Sequence, residues 1–208
     1  MRHLLGHGCQ MARLSSVLST ADFPRPELDA LRLDGEIFRV DDCVAPIDEL
    51  PTPQLRAAAL SLELPPRLIA EKRTAAWVWG AALDAPRPHE VCADISARAR
   101  PALNAQLAVR EVVLHADDVA QLGTMAVTTP IRTAIDLARF ARSWGACETD
   151  MVSRLMTIGQ FDAADCVRAI NDRRNLPGKR LALQRIAQCR SGGPGERQDQ
   201  PELTRYTS

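Results

Sequence analysis

Lysine is almost absent from this chain. Of 26 basic residues only Lys72 and Lys179 are lysine, and 31 of the 208 residues are alanine. Alanine and arginine codons are G+C-rich, so an arginine carries less functional weight here than in a balanced composition. Aromatic residues make up 4%, so the core must be built from Ala, Leu, Val and Ile. No apolar run reaches the ~18 residues of a membrane-spanning helix. The N-terminal stretch lacks an apolar run followed by a small-residue cleavage site, and a soluble, cytoplasmic chain is expected. Lys+Arg equals Asp+Glu at 26 each. That balance excludes a uniformly basic coat and leaves nucleic-acid binding only to a local patch.

Paired cysteines are also missing. The six cysteines are never closer than 19 residues, and no C-x-x-C exists. His3 and His7 stand at i,i+4 near Cys9, but a loose terminus is the simpler reading. No metal site and no cofactor are expected, and the cysteines read as small buried hydrophobes. Without a nucleophile–base arrangement, a Gly-rich phosphate loop or metal-ligand spacing, no enzyme is expected either.

The pattern predicts an α+β fold. Residues 1–10 read as loose. Residues 11–48 read as a winged helix-turn-helix-like unit: a short helix over Met11–Leu18, a second from Pro26 to Leu33, and a hairpin of Glu36–Val40 and Cys43–Ala45 around Asp41-Asp42. Residues 49–142 read as a small mixed sheet with helices. That domain should hold helix Gln54–Leu62 with an apolar stripe of Leu55, Ala58, Ala59 and Leu62. A short strand at Leu68–Ala70 and a helix Ala75–Ala82 capped by Thr74 should follow. Strands are expected at Glu90–Ile95, Val109–His115 and Met125–Val127. Thr129 and Pro130 suit the N-cap and first position of the next helix. Thr129→Ala would then cost about 1 kcal/mol. Residues 143–190 read as all-helical, and 191–208 as a disordered tail.

Three stretches carry a resemblance. Pro26-Glu27-Leu28 with Asp34–Val40, the segment Ala75-Ala76-Trp77-Val78-Trp79-Gly80, and Val127–Leu137 (VTTP-x-RTA-x-DLA) together resemble AbiEi-type antitoxins over roughly residues 20–140. The resemblance implies a DNA-binding winged helix followed by an α+β antitoxin domain. It further implies repression of the chain's own operon. It also implies the countering of a nucleotidyltransferase-like toxin encoded nearby, without a stable direct complex. Similar chains often continue into an endonuclease domain, which the helical pattern after residue 140 does not match.

Charge divides the chain. Between Asp22 and Asp42 three arginines (Arg25, Arg32, Arg39) face seven acidic residues. From Val167 to Arg190 seven basic residues face Asp172 alone. If DNA is bound, Arg173, Arg174, Lys179 and Arg180 are the expected phosphate contacts, and Arg25, Arg32 and Arg39 the expected groove contacts. The alternative is a protein–protein interaction module whose winged helix no longer binds DNA. The acidic N-terminal segment favours it.

Overall fold

The computed structural model describes residues 16–95 and 105–189. The loose N-terminus and the disordered tail expected above lie outside them. The chain is an α+β protein that divides at Thr128/Thr129 into two compact units.

The first unit begins with α1 (Arg25–Leu33) and the hairpin β1 (Ile37–Val40) and β2 (Cys43–Pro46). Then come α2 (Pro53–Glu63), β3 (Ile69–Ala70), α3 (Lys72–Trp79), β4 (His89–Asp94), β5 (Leu107–Val112), β6 (Val119–Leu122) and β7 (Met125–Thr128). Strands β3 to β7 form one mixed sheet in the order β5-β4-β3-β7-β6. Pairs β4–β5 and β3–β7 are parallel, and β3–β4 and β6–β7 are antiparallel.

The hairpin is shared between two apolar clusters. Val40, Cys43 and Ala45 enter the main core with Leu55, Leu60, Trp77, Val91 and Val127. Ile37 and Val44 point the other way, onto Leu18 and Leu28. That alternation is the two-residue period of a strand buried on both faces.

Several expected details are corrected. The start of the helix expected over Met11–Leu18 lies outside the described residues. Its end is not helical: Leu18 exchanges backbone hydrogen bonds of 2.8 and 2.9 Å with Val44. Leu62, expected in the apolar stripe of its helix, is exposed, and so is Leu33 at the end of α1. The buried stripe of α2 runs instead through Leu55, Ala57, Ala59 and Leu60. Helix α3 starts three residues before the expected position, because Glu71 rather than Thr74 occupies its N-cap. The Thr74 hydroxyl instead accepts from the Glu90 N–H at 2.8 Å. The strand expected at Glu90–Ile95 is β4, in which Val91, Cys92 and Ala93 are all buried, as in a strand covered on both faces. Strand β6 was not foreseen.

The second unit contains only helices among its described residues: α4 (Pro130–Phe140), α5 (Ala146–Gly159), α6 (Ala163–Asn171) and α7 (Lys179–Ile186). Its buried side chains include Leu137, Leu155, Ile170 and Ile186. Asp162 caps α6, accepting from the Asp165 N–H at 2.8 Å. Thr129 occupies the N-cap of α4, but its side chain accepts no bond from the helix. Its Oγ1 is buried without any hydrogen-bond partner. An unmet buried hydroxyl contributes no capping energy and carries a desolvation cost. Thr129→Ala should therefore shift stability by less than about 0.5 kcal/mol, or raise it, instead of costing a full cap. Chemical denaturation of the two proteins side by side measures this. A loss of 1 kcal/mol or more would show that the hydroxyl caps the helix after all.

Candidate functional site

The matched segment VTTP-x-RTA-x-DLA becomes β7 and α4, and its polar residues are inside the protein. Arg132, Asp136 and Arg139 recur at i, i+4 and i+7, which places them on one helical face. All three are buried. Arg132 Nε donates to Asp136 Oδ2 at 2.9 Å, and Arg139 Nη1 donates to Asp136 Oδ1 at 2.7 Å. Arg139 Nε then reaches the Pro177 carbonyl at 2.7 Å, and its guanidinium stacks on Phe140. That face is thus a buried ion array that holds the turn between α6 and α7.

A second arginine ties the same region together. Arg185 Nη1 donates to the carbonyls of Ala138 and Ala141, at 3.0 and 3.1 Å. It thereby serves carbonyls at the C-terminal end of α4, which the helix itself leaves without partners. Arg185 also lies over the Trp144 ring at 5.1 Å. Gly178, just before α7, adopts φ +75°, a conformation that suits glycine, and a Cβ there would meet the Arg139 carbonyl at 3.4 Å.

These contacts sort the basic C-terminal residues. Arg185 is committed to α4, and Arg168 pairs with Asp165. Arg173 and Arg174 follow α6, while Lys179 and Arg180 form the first turn of α7. These four surround one turn, and Arg174 and Arg180 are exposed. Helix α7 has no side-chain cap and no acidic residue in its first turn. Two cations there face the positive end of the helix dipole. That placement is locally unfavourable, and an anion would relieve it.

The N-terminal arginines lie apart from one another. Arg25 opens α1, Arg32 sits in its last turn, and Arg39 is on β1, all exposed. Arg39 folds back on its own turn, with Nη2 at 3.2 Å from the Asp41 carbonyl and 3.8 Å from Asp42.

A cluster that sequence reading did not assemble lies at that same turn. Asp41 comes from the hairpin, Glu63 from the last residue of α2, and His89 from the first residue of β4. His89 Nε2 stands 2.9 Å from Asp41 Oδ2 and 3.9 Å from Glu63 Oε2. Arg87 bridges Asp41 and Asp42 at 2.7 and 2.6 Å and contacts His89 Nε2. Burial alone would raise the Asp41 carboxyl, but His89 and Arg87 hold it below the ordinary aspartate value. Glu63 is pushed up, first by burial and then by Asp41 and Asp42. Cys43, whose Sγ is 3.9 Å from Glu63, is pushed up to about 12 by burial and by these carboxylates. A pocket of about 590 Å³ adjoins the cluster and is lined by Phe38, Arg56 and Trp77 as well as Asp41 and Arg87. The distances of 22 and 26 residues between the three side chains left no motif for a sequence reading to detect.

A family model, the AbiEi antitoxin C-terminal domain, matches residues 68–176, just over half of the chain. The chain belongs to the AbiEi antitoxin family. The matched span starts at β3 and runs through α6 to the basic turn, so it includes the buried Arg132–Asp136–Arg139 array. No curated protein matches significantly. Among solved structures, the crystal structure of the RV2827C protein from Mycobacterium tuberculosis is similar over 82% of this chain and 76% of that one. The identity is 16% and the TM-score 0.33. No helix among the described residues is long and apolar enough to cross a membrane.

Among the described residues, the antitoxin's thiols divide by burial. Cys43, Cys92, Cys166 and Cys189 are buried, and Cys147 is exposed. Burial raises Cys166 to about 12 and Cys189 to about 11. Since the thiolate is the reactive form, a maleimide at neutral pH should label Cys147 and leave those four unmodified until the protein unfolds. Peptide mapping reads this out, and rapid native labelling of Cys43 or Cys166 would contradict the burial.

Proposed function

We propose that this antitoxin represses its own operon by binding DNA, and that the α6–α7 turn supplies the phosphate contacts. One observation carries the reading: Lys179 and Arg180 open α7 at an N-terminus without a side-chain cap, and Arg173 and Arg174 stand in the segment that joins it to α6. Phosphate neutralisation supplies most non-specific affinity. This turn offers four cations where α1 and the hairpin offer three, spread among seven acidic residues. Arg25, Arg32 and Arg39 are the contacts proposed to discriminate between sequences. In the same reading the protein counters a nucleotidyltransferase-like toxin encoded nearby, without forming a stable complex with it.

The interaction-module reading has its own support. Arg87 and His89 tie down the acidic turn of the hairpin, and a tethered wing is poorly placed to enter a groove. A reporter fused to the gene's own upstream region separates the two. Repression by the wild-type protein that is lost when Arg173, Arg174, Lys179 and Arg180 become alanine supports the regulator. Reporter output unaffected by the wild-type protein would favour the interaction module.

A further inference from the structure

The cluster at the hairpin turn has a composition that the antitoxin reading does not use. Asp41, Glu63 and His89 each present a ligand atom, and these atoms lie within 4.8 Å of one another. The site is not a solvated acidic patch: the side chains of His89 and Asp41 are 2% and 5% exposed, and that of Glu63 is 22% exposed. Ligands held tetrahedrally about 2.1 Å from a zinc ion stand about 3.4 Å apart. The two separations from His89, 2.9 and 3.9 Å, bracket that figure.

Charge points the same way. Three carboxylates, Asp41, Asp42 and Glu63, face two guanidiniums, that of Arg87 and that of the exposed Arg39, which stands 3.8 Å from Asp42. The cluster is therefore short of positive charge. Buried carboxylates are expected to be paired or to coordinate a metal. Arg87 stands against His89 Nε2 and Asp41, where an incoming cation would sit. Its side chain is 38% exposed, so it can swing towards solvent. The adjoining pocket, lined by Asp41 and Arg87, provides a path in.

We infer that Asp41, Glu63 and His89 bind one divalent transition-metal ion of the zinc class, in exchange for the Arg87 guanidinium. Imidazole and carboxylate ligands together suit such ions. The three ligands belong to the hairpin turn, α2 and β4, so the ion would fasten the hairpin to the sheet. His89 Nδ1 is buried without a partner. Ligating histidines usually donate that second N–H to an acceptor, so affinity here falls below that of structural zinc sites. The inference is independent of the DNA-binding proposal.

The test is titration of the metal-stripped full-length protein with Zn²⁺ alone, in competition with a chromophoric chelator, in wild type and variants. Wild type should take up one equivalent at this site. Glu63→Gln should lower affinity about 10-fold or more. It is expected to fold, because it removes a negative charge that Asp41 and Asp42 repel. His89→Gln should do the same, and Arg87→Ala should tighten binding. A variant with His3 and His7 both replaced by alanine should bind as wild type does. The inference is overturned if wild type binds no zinc, if Glu63→Gln and His89→Gln bind as wild type does, if Arg87→Ala does not tighten binding, or if replacing His3 and His7 abolishes uptake.

Discussion

Asp136→Ala should unfold the helical unit more than any other single substitution considered. The Asp136 side chain is fully buried and joins the guanidiniums of Arg132 and Arg139, themselves 5% exposed at the side chain. Deleting the carboxylate leaves two buried cations without their shared counter-charge. Breaking a buried pair in this way costs about 3–5 kcal/mol. The loss is large against a total stability of roughly 5–15 kcal/mol. The damage should also spread to the α6–α7 turn, because Arg139 holds the Pro177 carbonyl. Circular dichroism at 222 nm during urea unfolding measures the loss. Asp136→Asn, which keeps one acceptor oxygen, should fall between. A change under 1 kcal/mol for Asp136→Ala would mean that the array contributes little.

Glu71→Ala should have the next largest effect, in the first unit. Glu71 is fully buried at the N-cap of α3. Its carboxylate takes two bonds from Arg110 Nε, at 2.6 and 2.8 Å, and lies 3.3 Å from Lys72 Nζ. Lys72 also reaches Glu90 at 3.1 Å, so the network joins the β3–α3 connection to β4 and β5. Arg110 is about a quarter exposed and can turn to water once released. The expected cost is therefore at the lower end for a buried pair, about 3 kcal/mol. Glu71→Gln retains the packing but not the charge and should cost less. Thermal unfolding followed by tryptophan fluorescence suits this unit, since Trp77 and Trp79 belong to α3. An unchanged midpoint for Glu71→Ala would contradict the network.

The order of elements was legible because short-range signals dictate it. Pro130 at the first position of α4, Asp162 before α6 and Leu176-Pro177-Gly178 before α7 act within one or two turns. The same Thr129-Pro130 signal marks the end of β7 at Thr128. Side-chain surroundings were less legible. The spacing of Arg132, Asp136 and Arg139 puts them on one helical face, but spacing alone does not say that the face is buried. An ion array satisfies itself internally, and so it can occupy a position where composition suggests solvent. Thr129 has the right residue type for a cap, but its hydroxyl makes no bond to the helix. Strand β6 was missed because Val119–Leu122 is short and follows an acidic turn. The Asp41–Glu63–His89 cluster depends on tertiary packing that brings three distant elements together, and no local period encodes it.

The regulator reading rests on phosphate contact at the α6–α7 turn, and salt dependence tests that contact most directly. The measurement is fluorescence anisotropy of a duplex from the gene's own upstream region, and of a random duplex, over a salt series. Each phosphate neutralised contributes about −0.9 to the slope of log K against log salt. Replacing Arg173, Arg174, Lys179 and Arg180 by alanine should weaken binding to both duplexes and flatten the slope by up to about 3.6. Replacing Arg25, Arg32 and Arg39 should instead narrow the difference between the two duplexes. Wild-type protein without salt-dependent binding to either duplex, or a quadruple variant with the wild-type slope, would contradict the account.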